Sequence, residues 1–441
     1  MFQPSRSTRE RQQLIIGVGL WLVIFLLGVF CLWWGFFAPQ MESPRPAAAT
    51  ATPTMTATPV GGLVPLATAT PSSGTAAQPT VPLSQEVFGY GIAVHGVVGD
   101  PNYAMGVVQS LGLGWVKQQV RWDVIEPSPG QYNWGMYDGV VDAANQRGLR
   151  VMLSVVRAPE WSHAGYVDDN PEGAPPDDLT LFADFLGRLV DRYRGRIHAI
   201  EVWNEENLDR EWDTAEGVNP ARYVEMLRLA YQVIKSRDPN IIVISGALSP
   251  VGATATDSKN PNRIIYMDDF QYYQEMIAKG FLSYADCVGV HHNGYNIPPD
   301  IAWDDKTYQD PTAKFRGFWD NPHPSWSFRS TLWRYHDAIS GMKPLCVTEF
   351  GWASSEGLGT PPPGFEFALD NTLQEQAEYI VKAYQLMRQW GFIRLAFLWN
   401  LDYIQKTGLP PEQDPYGPYS IIDPQGAPRP AFGAIQSMPK P

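Results

Sequence analysis

The sequence predicts an α/β fold, a (β/α)8 TIM barrel, preceded by a single transmembrane helix and a disordered linker. Three observations carry this prediction. After Val87, short β-rich apolar runs alternate eight times with helix-like stretches, the pattern of βα units around a parallel sheet. No glycine-rich dinucleotide fingerprint follows the first run, which speaks against an open doubly wound sheet. The 441 residues hold one barrel, which commonly takes about 250 residues or more, together with leading segments.

The elements follow in order. Residues 1–13 are expected to form a short tail in which Arg6, Arg9 and Arg11 face only Glu10. From Leu14 to Phe37 the chain carries no charge, and as a helix it crosses a hydrocarbon core of roughly 30 Å. It reads as a transmembrane helix at 14–37. The basic tail orients it with the N-terminus in the cytoplasm and the rest of the chain outside. A cleaved signal peptide is the competing reading, but its apolar region spans about 7 to 15 residues and ends in a small-x-small site. This stretch is longer, and no such site follows it closely. Residues 38–84 are rich in Pro, Thr, Ala and Ser, with too little apolar bulk to pack, and read as a disordered linker.

The folded domain is assigned to 85–441. Its eight strand candidates begin at Phe88, Trp115, Leu149, Ile197, Ile241, Cys287, Pro344 and Ile393. Between them lie helices with ordinary start signals. Asp178 precedes Leu179, Phe182, Phe185, Leu186 and Leu189 at helical spacing, and Thr372 stands three residues before Glu375, a capping box. Cys287 and Cys346 fall in apolar runs and read as small buried core residues in preference to a disulfide.

Composition excludes several classes. A net charge of −13 without clustered Lys or Arg argues against a nucleic-acid binder. No cysteine or histidine spacing suggests zinc or haem, and no cofactor or protein partner is expected.

In a parallel barrel the C-terminal strand ends build the active site, so a carboxylate ending an apolar strand is informative. Two strands end this way, the fourth in Glu201-Val202-Trp203-Asn204-Glu205 and the seventh in Leu345-Cys346-Val347-Thr348-Glu349. Strands four and seven lie across an eight-stranded barrel from one another. Glycosidic-bond cleavage needs such a pair, one carboxyl protonated as acid and one ionised as nucleophile or base. In strand two, Lys117, Gln119 and Arg121 alternate with Val116 and Val120, so one face is wholly polar and is expected to join an active-site network. Arg121 could instead pair with a loop carboxylate such as Glu126.

These residues resemble the clan A glycoside hydrolases, retaining (β/α)8 enzymes that include families 5 and 39, cellulases and β-xylosidases. The Trp203-Asn204-Glu205 run is similar to the clan's strand-four signature, and Val347-Thr348-Glu349-Phe350-Gly351-Trp352 to its nucleophile motif. Trp122 to Pro127 with Pro129-Gly130 and Tyr132 to Trp134, Pro159-Glu160-Trp161, Trp399, and Tyr419 to Asp423 extend the likeness over the folded region. The resemblance implies Glu205 as acid/base, Glu349 as nucleophile, Asn204 on a sugar hydroxyl, and Trp399 as a stacking floor. It also implies substrate contacts from Lys117, His291, Tyr295 and Trp161.

Three departures matter. Glu206 replaces the proline that often follows the acid/base, leaving a rival carboxylate expected to face elsewhere. Lys117 takes the place of a strand-two arginine. Strand six reads Val290-His291-His292-Asn293-Gly294-Tyr295, where Tyr295 reaches the nucleophile only if the loop bulges, and His292 is expected to be either a site residue or merely solvated. The loop that follows holds Trp303, Tyr308, Phe315, Phe318, Trp319 and Trp326, suited to walling a cleft.

The expected activity is retaining hydrolysis of O-glycosidic bonds in a poly- or oligosaccharide, with the membrane held by the N-terminal helix. Retention follows if the carboxyls lie about 5 to 5.5 Å apart. A transglycosylase on the same residues and a non-catalytic polysaccharide-binding barrel are the alternatives.

Overall fold

The computed structural model describes residues 87–163 and 173–440. Eight parallel strands form the barrel: β1 (Gly89–Val94), β2 (Trp115–Arg121), β3 (Arg150–Val156), β4 (Ala199–Val202), β5 (Ile242–Ser245), β6 (Val288–Gly294), β7 (Leu345–Trp352) and β8 (Ile393–Leu398). Their order around the sheet is β5, β4, β3, β2, β1, β8, β7, β6. The ring closes at a short seam, where Ile244 bridges Cys287 in parallel and Ser245 N–H donates to the Cys287 carbonyl at 3.2 Å. Gly289 permits that seam, because a Cβ there would collide with the Ser245 carbonyl oxygen.

Each strand is followed by a helix that packs outside: α1 (Pro101–Ser110), α2 (Gly135–Gln146), α3 (Leu179–Arg192), α4 (Pro220–Arg237), α5 (Asp269–Ala278), α6 (Phe328–Ala338), α7 (Leu373–Trp390) and α8 (Pro430–Ser437). The expected caps are present. Asp178 accepts from Thr180 N–H, and Thr372 and Glu375 complete a reciprocal capping box. A short antiparallel pair, Ala255–Thr256 with Ile264–Tyr266, is inserted between β5 and α5.

Inside the barrel the side chains stack in layers. The floor is apolar: Trp115, Met152, Ala199, Ile244, Cys287, Cys346, Leu395 and Phe397 are all buried against one another. Above it the interior turns polar, with Lys117, Glu201 and His291 fully buried.

Two sequence expectations need correction here. Cys287 and Cys346 form a disulfide, with Cα atoms 5.8 Å apart. Cys287 immediately precedes β6 and Cys346 lies on β7, both at the floor, and those neighbouring strands bring Gly289 opposite Cys346, well within bridging range. Arg121 pairs with Asp123 at 2.6 Å and not with Glu126, which accepts instead from Trp122 Nε1 and Gly130 N–H, each at 2.8 Å.

The transmembrane segment at 14–37 and the linker at 38–84 lie outside the described residues. Among the described residues no helix is long and apolar enough to cross a membrane.

Candidate active site

The chain leaves β4 at Val202 and delivers Glu205 on an unusual turn. Trp203 and Glu205 both adopt positive φ, 75° and 45°, a region in which a residue with a side chain costs of order 1–3 kcal/mol. The surroundings hold the turn in place. Trp203 N–H donates to the Val155 carbonyl at 3.1 Å, its indole donates to the Glu211 carbonyl at 2.8 Å, and Glu205 N–H donates to the Ala247 carbonyl at 2.9 Å. Asn204 is carried between them into the barrel mouth, buried, with its Oδ1 unpartnered.

Glu349 comes from within β7, which runs on to Trp352. Lys117 of β2 lies beneath, its Nζ 3.0 Å from Glu349 Oε1 and 3.1 Å from Glu201 Oε2. Burial works against the ammonium charge, but Glu201 first and Glu349 second more than restore it, and the pKa is raised. Asn293 Nδ2 donates to the other Glu349 oxygen at 3.3 Å.

His291 of β6 stands between the two predicted carboxylates. Its Nδ1 is 3.2 Å from Glu205 Oε1, and its Nε2 is 3.9 Å from Glu349 Oε1 and 3.9 Å from Glu201 Oε1. Burial lowers the imidazole pKa, yet Glu349 and the Glu205 hydrogen bond outweigh it and the net direction is upward. Glu205 has a second partner, Arg210, whose guanidinium reaches Oε2 at 2.6 Å. Burial would raise the Glu205 carboxyl, but His291 and Arg210 together hold it down to about 2.

Glu206 points away from this group. It is fully buried against Gly246, where a Cβ would collide with its carboxylate, and desolvation keeps its pKa well above the ordinary range.

The remaining candidates divide. Trp399, partly exposed at the end of β8, meets His95, Tyr403 and Tyr416 at angles, with its ring centroid 5.4 Å from that of His95. Tyr295 does not contact Glu349. Its hydroxyl donates to the Pro250 carbonyl at 3.0 Å and its ring stacks on Phe315 at 5.2 Å. A register shift between Val290 and His291 puts His291 opposite Glu349 and Asn293 opposite Gly351, so Asn293 supplies the contact expected of the tyrosine. Trp161 is set against the β2 loop, edge-on to Trp122, with its indole N–H donated to the Glu126 carbonyl at 3.0 Å. His292 is not solvated but buried between the rings of Phe328 and Tyr295. Gln119, expected in the polar network, is exposed.

Sequence reasoning missed Glu201, Arg210 and Asn293. For Glu201 a signal existed: it lies on an apolar strand four positions before Glu205, and a charge inside a barrel needs a partner such as Lys117.

The comparisons with known proteins agree with this architecture. A family model described as "Beta-galactosidase", Glyco_hydro_42, matches residues 103–176. A "Beta-1,4-xylanase" of Dictyoglomus thermophilum is 29% identical over 97 residues, covering 21% of this chain and 25% of that protein. Among solved structures, a family 39 glycoside hydrolase from Bacteroides cellulosilyticus WH2 aligns with TM-score 0.58 at 19% identity, over 81% of this chain and 64% of that one. A monomeric beta-xylosidase from Caulobacter crescentus CB15 aligns with TM-score 0.53 at 20% identity, over 79% and 67%. The xylanase match thus spans a quarter of its relative's length. The fold is that of these barrels, and the chain is similar in sequence, over part of its length, to a glycoside hydrolase family model and to a xylanase.

Proposed function

We propose that this protein is a retaining glycoside hydrolase that cleaves a poly- or oligosaccharide by double displacement. Glu349 attacks the anomeric carbon while the bond to the leaving oxygen breaks and that oxygen takes the proton of Glu205. Water then attacks the glycosyl-enzyme bond, giving its proton to Glu205 and returning Glu349 as a carboxylate. The observation that carries this reading is the placement of Glu205 and Glu349 on either side of His291, in one buried group with Lys117. Asn204, with its buried and unpartnered Oδ1, offers a sugar hydroxyl a hydrogen bond, and Trp399 offers it a ring face.

The relatives named as xylanase and xylosidase make β-linked xylan and xylo-oligosaccharides the first substrates to test. The barrel is held outside the cytoplasm by the 14–37 helix and the 38–84 linker. The charge pattern of the N-terminus supports this, as does a disulfide, which persists in oxidising compartments.

The test is a polysaccharide and aryl-glycoside screen of the full chain in detergent, with Glu349→Ala and Glu205→Gln variants as controls. Activity is expected in the wild type, with retained anomeric configuration in the product seen by NMR. Variants that keep full activity on every cleaved glycoside, or an inverted product, would overturn the reading.

A further inference from the structure

The contact between Arg210 and Glu205 is at odds with the chemistry asked of Glu205. An acid catalyst must carry a proton before it acts, whereas a guanidinium at 2.6 Å favours the carboxylate. Other partners of Glu205 do not remove the conflict. His291 approaches from β6, Tyr295 from the following loop and Tyr419 from the C-terminal segment, while Glu201, Glu206 and Glu211 are the acidic neighbours on its own stretch.

The two partners differ in freedom. The Glu205 side chain is 8% exposed and that of Arg210 is 39% exposed. The backbone around Arg210 is pinned: Leu208 N–H donates to the Glu205 carbonyl at 2.9 Å, Asp209 N–H to Ile265 at 2.7 Å, and Glu211 N–H to Leu208 at 3.1 Å. Only one terminal nitrogen of the guanidinium meets Glu205, and its Nε is buried without a hydrogen-bond partner. The contact can therefore open by side-chain rotation alone, and an incoming polar group has an unsatisfied donor to meet.

Building on the hydrolase reading above, we propose that Arg210 is a positioning residue that clamps the Glu205 carboxylate in the free protein and is drawn away when a saccharide occupies the leaving-group side. Once Arg210 turns to a sugar hydroxyl, Glu205 takes a proton from solvent and later passes it to the leaving oxygen. Arg210 so ties acid catalysis to an occupied leaving-group position. It also contributes to the pH at which Glu205 loses its proton: against burial, the His291 hydrogen bond first and the Arg210 charge second hold that carboxyl down to about 2.

The experiment compares wild type, Arg210→Ala, Arg210→Gln and Arg210→Lys in the full chain on two substrates sharing one sugar. One is an unactivated oligosaccharide, and the other is a 2,4-dinitrophenyl glycoside, whose leaving group needs no acid. On the oligosaccharide, the alkaline limb of kcat/KM should move up by about one to three pH units in the Ala and Gln variants, the effect of removing an adjacent opposite charge. It should stay near its wild-type position in the Lys variant. On the dinitrophenyl glycoside the profiles should coincide. An unmoved limb in active Ala and Gln variants overturns the proposal. So does loss of turnover on both substrates with native circular dichroism, because Arg210 would then hold substrate or fold. A wild type inactive on every glycoside would instead overturn the hydrolase reading.

Discussion

Lys117 and Glu349, 232 positions apart in sequence, meet inside the barrel at 3.0 Å, and the same ammonium reaches Glu201 at 3.1 Å. Removing Lys117 leaves two buried carboxylates without the ammonium they share, with only His291 at 3.9 Å from each. Lys117→Met is therefore expected to lose about 3–5 kcal/mol of stability, the usual cost of breaking a buried ion pair from one side. Activity should fall by roughly 10²- to 10³-fold, as when one preorganised electrostatic partner is removed. Adding Glu201→Gln should restore much of the stability but not the activity. Equal recovery of both in the double variant, read by urea unfolding and kcat/KM, would show that Lys117 acts on the fold alone.

Asn293 and Tyr295 give a contrast within one strand end. Asn293 donates to Glu349, whereas the Tyr295 hydroxyl is bound to the Pro250 carbonyl. Asn293→Ala is expected to lower kcat by about tenfold or more, since hydrogen bonds to charged groups contribute about 1.5–3 kcal/mol. Tyr295→Phe should leave kcat nearly unchanged and cost about 1 kcal/mol in thermal unfolding. A larger kinetic effect at Tyr295 would reverse the assignment.

These two residues also mark where sequence reading stops. The eight strands were legible because each apolar run is bounded by turns, and Lys117 because its alternation with valines fixed its face. The Cys287–Cys346 bond was within reach too, since strands six and seven are neighbours in any such barrel. Asn293 was not, because a single register shift in β6 decides whether position 293 or 295 reaches Glu349. Arg210 was hidden for a related reason: its partner Glu205 lies on a turn with positive φ at Trp203 and Glu205, which no periodicity reports.

The disulfide closes a 59-residue separation at a fully buried position. A paired Cys287→Ala/Cys346→Ala variant is expected to lose about 4 kcal/mol through the freer unfolded chain. Dithiothreitol should leave the native protein unchanged at room temperature and act only once denaturant opens the barrel. Rapid thiol release from the folded protein, measured with Ellman's reagent, would contradict the burial.

Asp269 at the start of α5 is fully buried and accepts from Ser325 Oγ at 2.6 Å, and burial raises its pKa to about 7. Below pH 4 both folded and unfolded chains hold the proton, so the group is silent. Between about 4 and 7 the unfolded chain ionises while the folded one does not, and stability falls as pH rises. The variant Asp269→Asn escapes this loss. Its advantage over wild type should grow across that window to about 4 kcal/mol and then level off. Parallel stability curves from pH 4 to 8, measured by urea denaturation, would count against it.

The left-handed backbone at Glu205 has a practical consequence for engineering this scaffold. Glycine takes up that conformation freely, so the chain would be more relaxed there without the side chain that the proposed acid/base role needs. Variants selected for heat resistance alone will drift toward glycine or asparagine at 205 and give robust, inert barrels. Any thermostability screen on this protein must therefore be run with turnover as a simultaneous criterion.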